Sequence, residues 1–411
     1  MPHHDSFATV PKNITYRVGV NNMNKTLSQL IRISNRVGRD TSLIQGGGGN
    51  TSVKTKDCKY MYIKASGTAL KDMNGQSGWR RLRLDSVLSI IKNKSIPRLD
   101  TYDREIEVVN RLLLACDDKV VGDARPSVEA HLHAFLDKCV IHLHPVAVLA
   151  YACAKNGRKE LEKLFKEESF PPVWVPYTDP GFMLAKRITN VVADYENRFG
   201  KKPAILFLQK HGLLISANSA DCALRLLRKV INRCGSKLRQ LKAGKSKAAT
   251  EEIIVDTKFC ISRAFFKGTG RHATITYFRD DTIVAFWQQK DAQEMLSPSA
   301  LTPDELLYAN GPAMWVDDCD SKKIAGRLAR QIKKGRKPFV AFLVKGVGLF
   351  VAGTEKITPT IRDIVESSFF IRTNAFRLGG IVTLNKSERD FINQWESEAF
   401  RKKLASGPSK G

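Results

Sequence analysis

Residues 139–145 read CVIHLHP, and residues 204–213 read AILFLQKHGL. In the first run His142 and His144 stand two apart on an apolar stretch. A strand repeats every two residues, so both imidazoles point to one face and would grip a single ion. The second run is another apolar strand, ending at His211-Gly212, where a glycine lets the backbone turn sharply and present the ring. Three histidines with one position left open are the pattern of a catalytic zinc site, not a structural one. A lone histidine on an apolar strand reads as a satisfied core residue. An H-x-H followed by Pro145, joined by a second strand-terminal His-Gly, reads as a metal site. Short buried strands between apolar helices, such as VAVLAYACA (146–154), make the chain α/β.

Just upstream, PSVEAHLH places Glu129 thirteen residues before His142. The spacing predicts a helix over 127–137, with His133 at i+4 on the face of Glu129. A carboxylate near a bound cation serves either as a fourth ligand or as a general base. A helix-surface glutamate is the bland alternative, and proximity in sequence to the histidines favours the chemical one.

Further out, residues 24–37 carry Leu27, Leu30 and Ile31 at helical spacing, and residues 102–115 put Ile106, Val109, Leu112 and Leu113 on an apolar face. TSVKTKDCKYMYIKAS (51–66) alternates as a hairpin. SADCALRLLRKVINRC (219–234) predicts a long helix with Ser219 as N-cap. Residues 235–250 are basic and poor in large apolar side chains, which predicts a linker or an exposed helix end. Beyond them, FVAFLVKGVGLFVAGTEK (339–356) echoes AILFLQKHGLLISANSAD (204–221), so a partial internal duplication is expected. With Gly212 laid on Gly348, His211 falls on Val347, and the second copy lacks that ligand.

Three small-residue turns supply amides, hydroxyls and cations. They are Gly46–Gly49 followed by Asn50-Thr51-Ser52, then Lys64-Ala65-Ser66-Gly67-Thr68, then Arg125-Pro126-Ser127. The glycine run fits neither G-x-G-x-x-G nor the P-loop. Beside a cation site the three turns together point to a phosphate or carboxylate pocket.

Composition bounds these readings. A chain of 411 residues with 43% hydrophobic content supports two packed cores. It holds no run of eighteen apolar residues, so no membrane span is expected. The stretch MPHHDSFATVPKN has no apolar h-region, which argues against secretion and for a cytoplasmic protein. The eight cysteines form no C-x-x-C pair and read as buried thiols in a reducing compartment. The net charge of +26 suits anionic partners. Aromatic residues do not interleave with the basic runs, which argues against nucleic acid and for a small anionic substrate.

GGGGNTS, KASGT, RPSVE, IHLHP, VPYTDPGF and KHGL occur here in the order found in class II aldolase/adducin-type proteins. Residues 25–235 resemble that family. The part after them resembles the region that follows the aldolase domain in rhamnulose-phosphate aldolase/dehydrogenase-like proteins, with no nucleotide-binding fingerprint. The resemblance implies a three-layer α/β/α domain around a mostly antiparallel sheet and a smaller degenerate α/β domain. It also implies a homo-oligomer, often a tetramer with active sites between subunits. The expected division is an extension (1–24), the catalytic domain (25–235), a basic linker (236–251) and the degenerate copy (252–411).

Residue by residue, the resemblance implies His142, His144 and His211 as ligands of Zn2+ or another divalent metal. It implies Glu129 as acid/base and Asn50, Ser66, Gly67 and Ser127 as a phosphate cradle. Arg125 would compensate for Val128, which stands where sugar-phosphate aldolases of this type carry a second serine. The implied reaction is reversible aldol cleavage of a ketose phosphate or related sugar acid through a zinc-stabilised enediolate. Glu129 would move the proton, and Tyr177 would protonate the leaving aldehyde oxygen or pack at the pocket edge. The same fold and metal serve epimerases, dehydratases and decarboxylases, and the non-catalytic adducins share the fold. The degenerate copy is expected to cover the first domain's pocket or to replace a subunit contact.

Overall fold

The computed structural model of the chain describes residues 24–118 and 124–395. The extension placed over 1–24 lies outside these residues except for Asn24, as do residues 396–411. Seven strands form the first sheet: β1 (Asn50–Lys54), β2 (Tyr60–Lys64), β3 (Trp79–Arg83), β4 (Cys139–Leu143), β5 (Val173–Val175), β6 (Ile205–Leu208) and β7 (Gly212–Ala217). Their order is β3-β2-β1-β4-β7-β6-β5, antiparallel throughout except for the parallel β5–β6 pair.

Strand periodicity divides the core. Cys139, Ile141, Leu143, Leu213 and Ile215 bury on one face under the helices Lys25–Gly38, Val146–Ala152 and Ala220–Gly235. Val140, Leu206, Leu208 and Leu214 bury on the other under Leu84–Lys92, Thr101–Leu114 and Phe182–Phe199. This is the expected α/β/α layering.

Local chemistry accounts for most element ends. Ser219 caps its helix by accepting from Cys222 N at 3.2 Å. The helix Thr101–Leu114 departs from expectation in its face: Glu105, Val108 and Leu112 are buried, while Leu113 is 37% exposed. The helix is turned because Glu105 Oε2 accepts from Phe182 N at 3.4 Å, a tertiary contact that outweighs local amphipathicity. The helix expected over 127–137 is confined to Ala130–Ala134. Its start is held off by the C-terminal end of β2, where Ser66 N donates to Arg125 O and Ser127 N to Lys64 O at 2.8 and 2.9 Å.

A second, smaller sheet comprises β8 (Ile275–Phe278), β9 (Met314–Val316), β10 (Ala341–Val344) and β11 (Gly348–Ala352), ordered β8-β11-β10-β9. Its pairings are antiparallel, antiparallel and parallel, the order and sense of β4-β7-β6-β5. The echo in sequence is therefore an echo in topology. The tight turn repeats as well: Lys210 and Gly346, both two residues before the equivalent glycines, have φ of +55° and +78°. Glycine adopts that left-handed backbone freely, whereas a lysine does so at a cost. Lys210 is held there by Glu388, whose carboxylate its Nζ reaches at 2.5 Å.

Matching β7 to β11 carries the register across to β4 and β8. Leu213 pairs with Leu143 and Leu214 with His142, while Leu349 pairs with Phe278 and Phe350 with Tyr277. Tyr277, Arg279 and Val347 thus stand where His142, His144 and His211 stand in the first sheet. Pro303 follows β8 whereas Pro126 precedes β4, so the two prolines are not equivalent in the two sheets.

The two sheets' layers are packed together. Leu149, Ala152 and Cys153 share a buried cluster with Leu301 and Ile371. Val382 N donates to Cys153 O, and Lys155 N to Gly380 O, at 2.8 and 2.9 Å. Residues 236–250 contain neither helix nor strand, and Asn374 pins them through both the N–H and the carbonyl of Arg239.

Candidate metal centre

The first sheet's register assembles the site. Asn50 on β1 lies directly across from His142 on β4, so their side chains emerge on one face. His144 follows two residues on. His211 enters from the turn before β7, where its N–H bonds Leu208 O at 3.1 Å. Gly212 permits this approach, since a Cβ there would lie 2.3 Å from Leu143 O and 2.8 Å from the His144 ring.

His142 Nε2 stands 3.3 Å from both His211 Nε2 and His144 Nε2. His142 Nδ1 donates to the Leu213 carbonyl at 3.1 Å, and His144 Nδ1 bonds the Asp304 carboxylate. Both acceptors fix the proton on Nδ1 and leave Nε2 as a bare lone pair. Burial pushes the His142 pKa down to about 4 and that of His211 to about 3, against the pull of Glu129. At neutral pH the His142 and His211 rings are uncharged, the form that ligates metal. Lone pairs 3.3 Å apart repel unless a cation lies between them. A tetrahedral ion with Zn–N bonds of about 2.0–2.1 Å sets its nitrogens about 3.3 Å apart. These three histidines fit such an ion.

Glu129 lies beside the three histidines. It occupies the N-cap position of Ala130–Ala134 with φ −94° and ψ 11°, and its N–H is accepted by Ser127 Oγ at 3.3 Å. Its Oε2 lies 3.5 Å from His142 Nε2 and its Oε1 3.5 Å from His211 Nε2. Asn50 Nδ2 donates to Oε2 at 2.7 Å. Burial works against its charge, but His142 and His211, protonated in the acid range where the carboxyl would titrate, and the Asn50 amide outweigh that and hold it well below the usual carboxylate range. Among the described residues, the buried Glu129 Oε1 and Asn50 Oδ1 have no hydrogen-bond donor. Orphaned acceptors at that place suit a bound cation or substrate hydroxyl.

A cavity of about 30 Å³ adjoins the cluster. Asn50, Ser66, Ser127, Glu129, His144 and His211 line it, as do Lys64 and Val128. Gly67, Arg125 and Tyr177 do not. Arg125 contributes its carbonyl to Ser66. Tyr177 packs against Leu306 and Leu384, with Lys210 Nζ 4.2 Å from its ring centre. His133, expected on the face of Glu129, turns instead to Ser52 Oγ at 2.8 Å. The glycine run serves the packing as well as the site. A Cβ on Gly48 would come within 2.8 Å of Asp304 Oδ2, and Lys64 Nζ donates to Gly47 O at 2.9 Å.

Sequence reasoning missed Pro303, Asp304 and Trp395, which line the same cavity from the second half of the chain. TPDE (302–305) reads only as a helix start, and no residue nearby marks Asp304 as part of a site.

An α/β/α domain thus carries a buried three-histidine cluster that could hold a divalent cation, with a carboxylate beside it. Residues 28–238 match the Class II Aldolase and Adducin N-terminal domain, and the chain belongs to that family. It is 24% identical over 428 residues to the Bacillus subtilis (strain 168) protein named "Uncharacterized oxidoreductase YuxG", covering 93% of this chain and 59% of that one. The chain thus spans about three-fifths of that relative's length. Among solved structures, the N-terminal class II aldolase domain of a Thermoplasma acidophilum protein is similar at 27% identity and a TM-score of 0.43, over 55% of this chain and all of that one. L-fuculose-1-phosphate aldolase from Thermus thermophilus is similar at 16% identity and a TM-score of 0.31, over 51% and 93%. Among the described residues no helix is long and apolar enough to cross a membrane.

Proposed function

We propose that the chain is a metal-dependent lyase that reversibly cleaves a ketose phosphate or related sugar acid by aldol chemistry. The observation that carries this reading is Glu129, ionised and 3.5 Å from Nε2 of both His142 and His211 at a cavity wall. His142, His144 and His211 would hold Zn2+ or another divalent metal, which when bound supplies Lewis-acid polarisation of a substrate carbonyl. In condensation Glu129 takes the proton from the carbon beside that carbonyl, and in cleavage it returns that proton to the same carbon once the carbon–carbon bond has broken. Asn50 keeps the carboxylate aimed by its amide bond. Ser127 Oγ already accepts from Glu129 N, so its own proton is left to donate to a substrate anion. Ser66 adds a second hydroxyl and Lys64 a cation at the same wall. The net charge of +26 draws anionic substrates toward it.

A cavity of about 30 Å³ holds about one water, far less than a sugar phosphate. Substrate binding therefore requires the cavity to widen. Incubating the zinc-loaded chain with phosphorylated and unphosphorylated ketoses tests the reading. An aldehyde fragment appearing in step with loss of ketose is the expected product. A one-for-one isomer, a dehydrated product or released carbon dioxide overturns it in favour of epimerisation, dehydration or decarboxylation.

A further inference from the structure

We infer that Asp304, from the second sheet's half of the chain, is a positioning residue of the metal centre. It orients His144 and raises its affinity for the cation. The inference rests on the metal-centre reading of the three histidines and adds to it a residue from outside the family-matched domain.

The second half has lost its own equivalent of the triad, with Tyr277, Arg279 and Val347 at the matching positions. Tyr277 Oη now donates to the Val347 carbonyl at 3.0 Å, which closes that position with an internal bond. The same half sends a carboxylate into the first half's site. Asp304 Oδ2 bonds His144 Nδ1, with both side chains less than one-tenth exposed. The contact spans 160 residues of chain.

Several independent features hold Asp304 there. It sits in the first turn of the helix Pro303–Ala309, whose N-cap Thr302 accepts from Glu305 N at 3.2 Å. Its neighbour Glu305 is clamped by the fully buried Arg372 at 3.1 Å, and Glu305 also accepts from Ser368 Oγ and Leu301 N at 2.5 and 2.6 Å. Arg372 in turn donates to the carbonyls of Met295 and Ser299 at 3.0 and 2.8 Å. Arg372 belongs to the helix Thr358–Arg377, which packs on Val146–Ala152, the helix that begins just after His144. Carboxylate and imidazole are thus mounted on two elements braced against each other. Gly48 leaves the space through which Asp304 reaches the ring, since a Cβ would stand 2.8 Å from Oδ2 and 3.2 Å from His144 Nδ1.

A carboxylate on the far nitrogen of a ligating histidine fixes the tautomer and the ring plane and makes the near nitrogen a stronger donor. Losing such a partner weakens metal binding by about 10–100-fold. In this chain that partner comes from the degenerate half.

The test is chelator-competition titration of Zn2+ and Co2+ into the full chain, with the visible spectrum of the Co2+ form recorded alongside. Asp304→Ala is expected to bind Zn2+ about 10–100-fold more weakly than the parent and to shift the Co2+ bands. Asp304→Asn, which keeps the size and an acceptor oxygen but not the charge, is expected to fall between them. Parent-like affinity and spectrum in Asp304→Ala overturn the inference. Should Asp304→Ala not fold, parent-like affinity and spectrum in Asp304→Asn overturn it equally. A parent chain that takes up neither ion overturns the inference together with the metal-centre reading. A loaded parent that cleaves no ketose defeats only the lyase reading and leaves the titration to decide the role of Asp304.

Discussion

Asn50 Nδ2 donates to Glu129 Oε2 across 2.7 Å, between residues 79 apart in sequence and both buried. The bond joins the first residue of β1 to the start of the helix Ala130–Ala134, and it fixes the carboxylate against His142 and His211. The family resemblance implies Asn50 as part of a phosphate cradle; it lines the cavity, and its amide also holds the Glu129 carboxylate. Asn50→Ala should therefore act on chemistry more than on substrate affinity. The expected result in steady-state kinetics is a kcat lower by about 10–100-fold with a KM changed far less, the loss that follows from a misplaced reacting group.

Glu129→Gln keeps the shape and the bond to Asn50 and removes the base. Turnover should fall by about 10²–10⁴-fold. Bound zinc, measured by elemental analysis, should stay near one per chain, because three histidines remain to hold it. Activity close to that of the parent would remove Glu129 from the proton transfer.

His211→Ala takes away one of three nitrogens spaced for a single ion. Metal content of the purified variant should drop well below stoichiometric. Full occupancy after dialysis against a weak chelator would show that His211 is not a ligand.

Gly48→Ala introduces a Cβ within 2.8 Å of Asp304 Oδ2. The expected cost, from the midpoint of denaturant unfolding, is about 1–3 kcal/mol, typical of overpacking. In an Asp304→Ala background the same substitution should cost less, since the clashing group is gone. Equal costs in the two backgrounds would mean that Gly48 serves some other contact.

Glu105 supplies a pH test away from the metal ligands. Burial pushes its carboxyl up to about 7 from 4.5, against the pull of the adjacent Arg104. A folded pKa above the unfolded one means that the native chain binds more protons between those values. The contribution of this group is then fully present below about pH 4.5, and it is lost as pH rises through about 7. The shift corresponds to roughly 3 kcal/mol at most. Glu105→Gln should flatten this part of the stability profile, leaving the variant more stable than the parent at about pH 8 and no more stable at about pH 4.5. A parent profile with the same slope as the variant between those values would exclude the shift.

Much of the first half was legible because its signals are local. The strand period placed His142 and His144 on one face, and the apolar run ending at His211-Gly212 marked a second ligand strand. Ser219 marked a helix start that the hydrogen bond to Cys222 N bears out. The reading of helix faces was weaker where a tertiary bond intervened. Leu113 looks as apolar as Leu112, yet it is exposed because Glu105 is drawn inward toward Phe182. The helix expected across Glu129 shortens for a similar reason, since Arg125 and Ser127 bond to Ser66 and Lys64 at the C-terminal end of β2.

Sequence by itself determined which residues can ligate and which strands are buried, and it raised a partial repeat over 339–356 as an expectation, because spacing and hydrophobicity are properties of short segments. Tertiary structure decided which of those groups meet. Strand register set Asn50 opposite His142, and the packing of Thr358–Arg377 on Val146–Ala152 brought Asp304 to His144. Neither contact leaves a trace in spacing, since each depends on two distant segments having their backbones fixed by other residues.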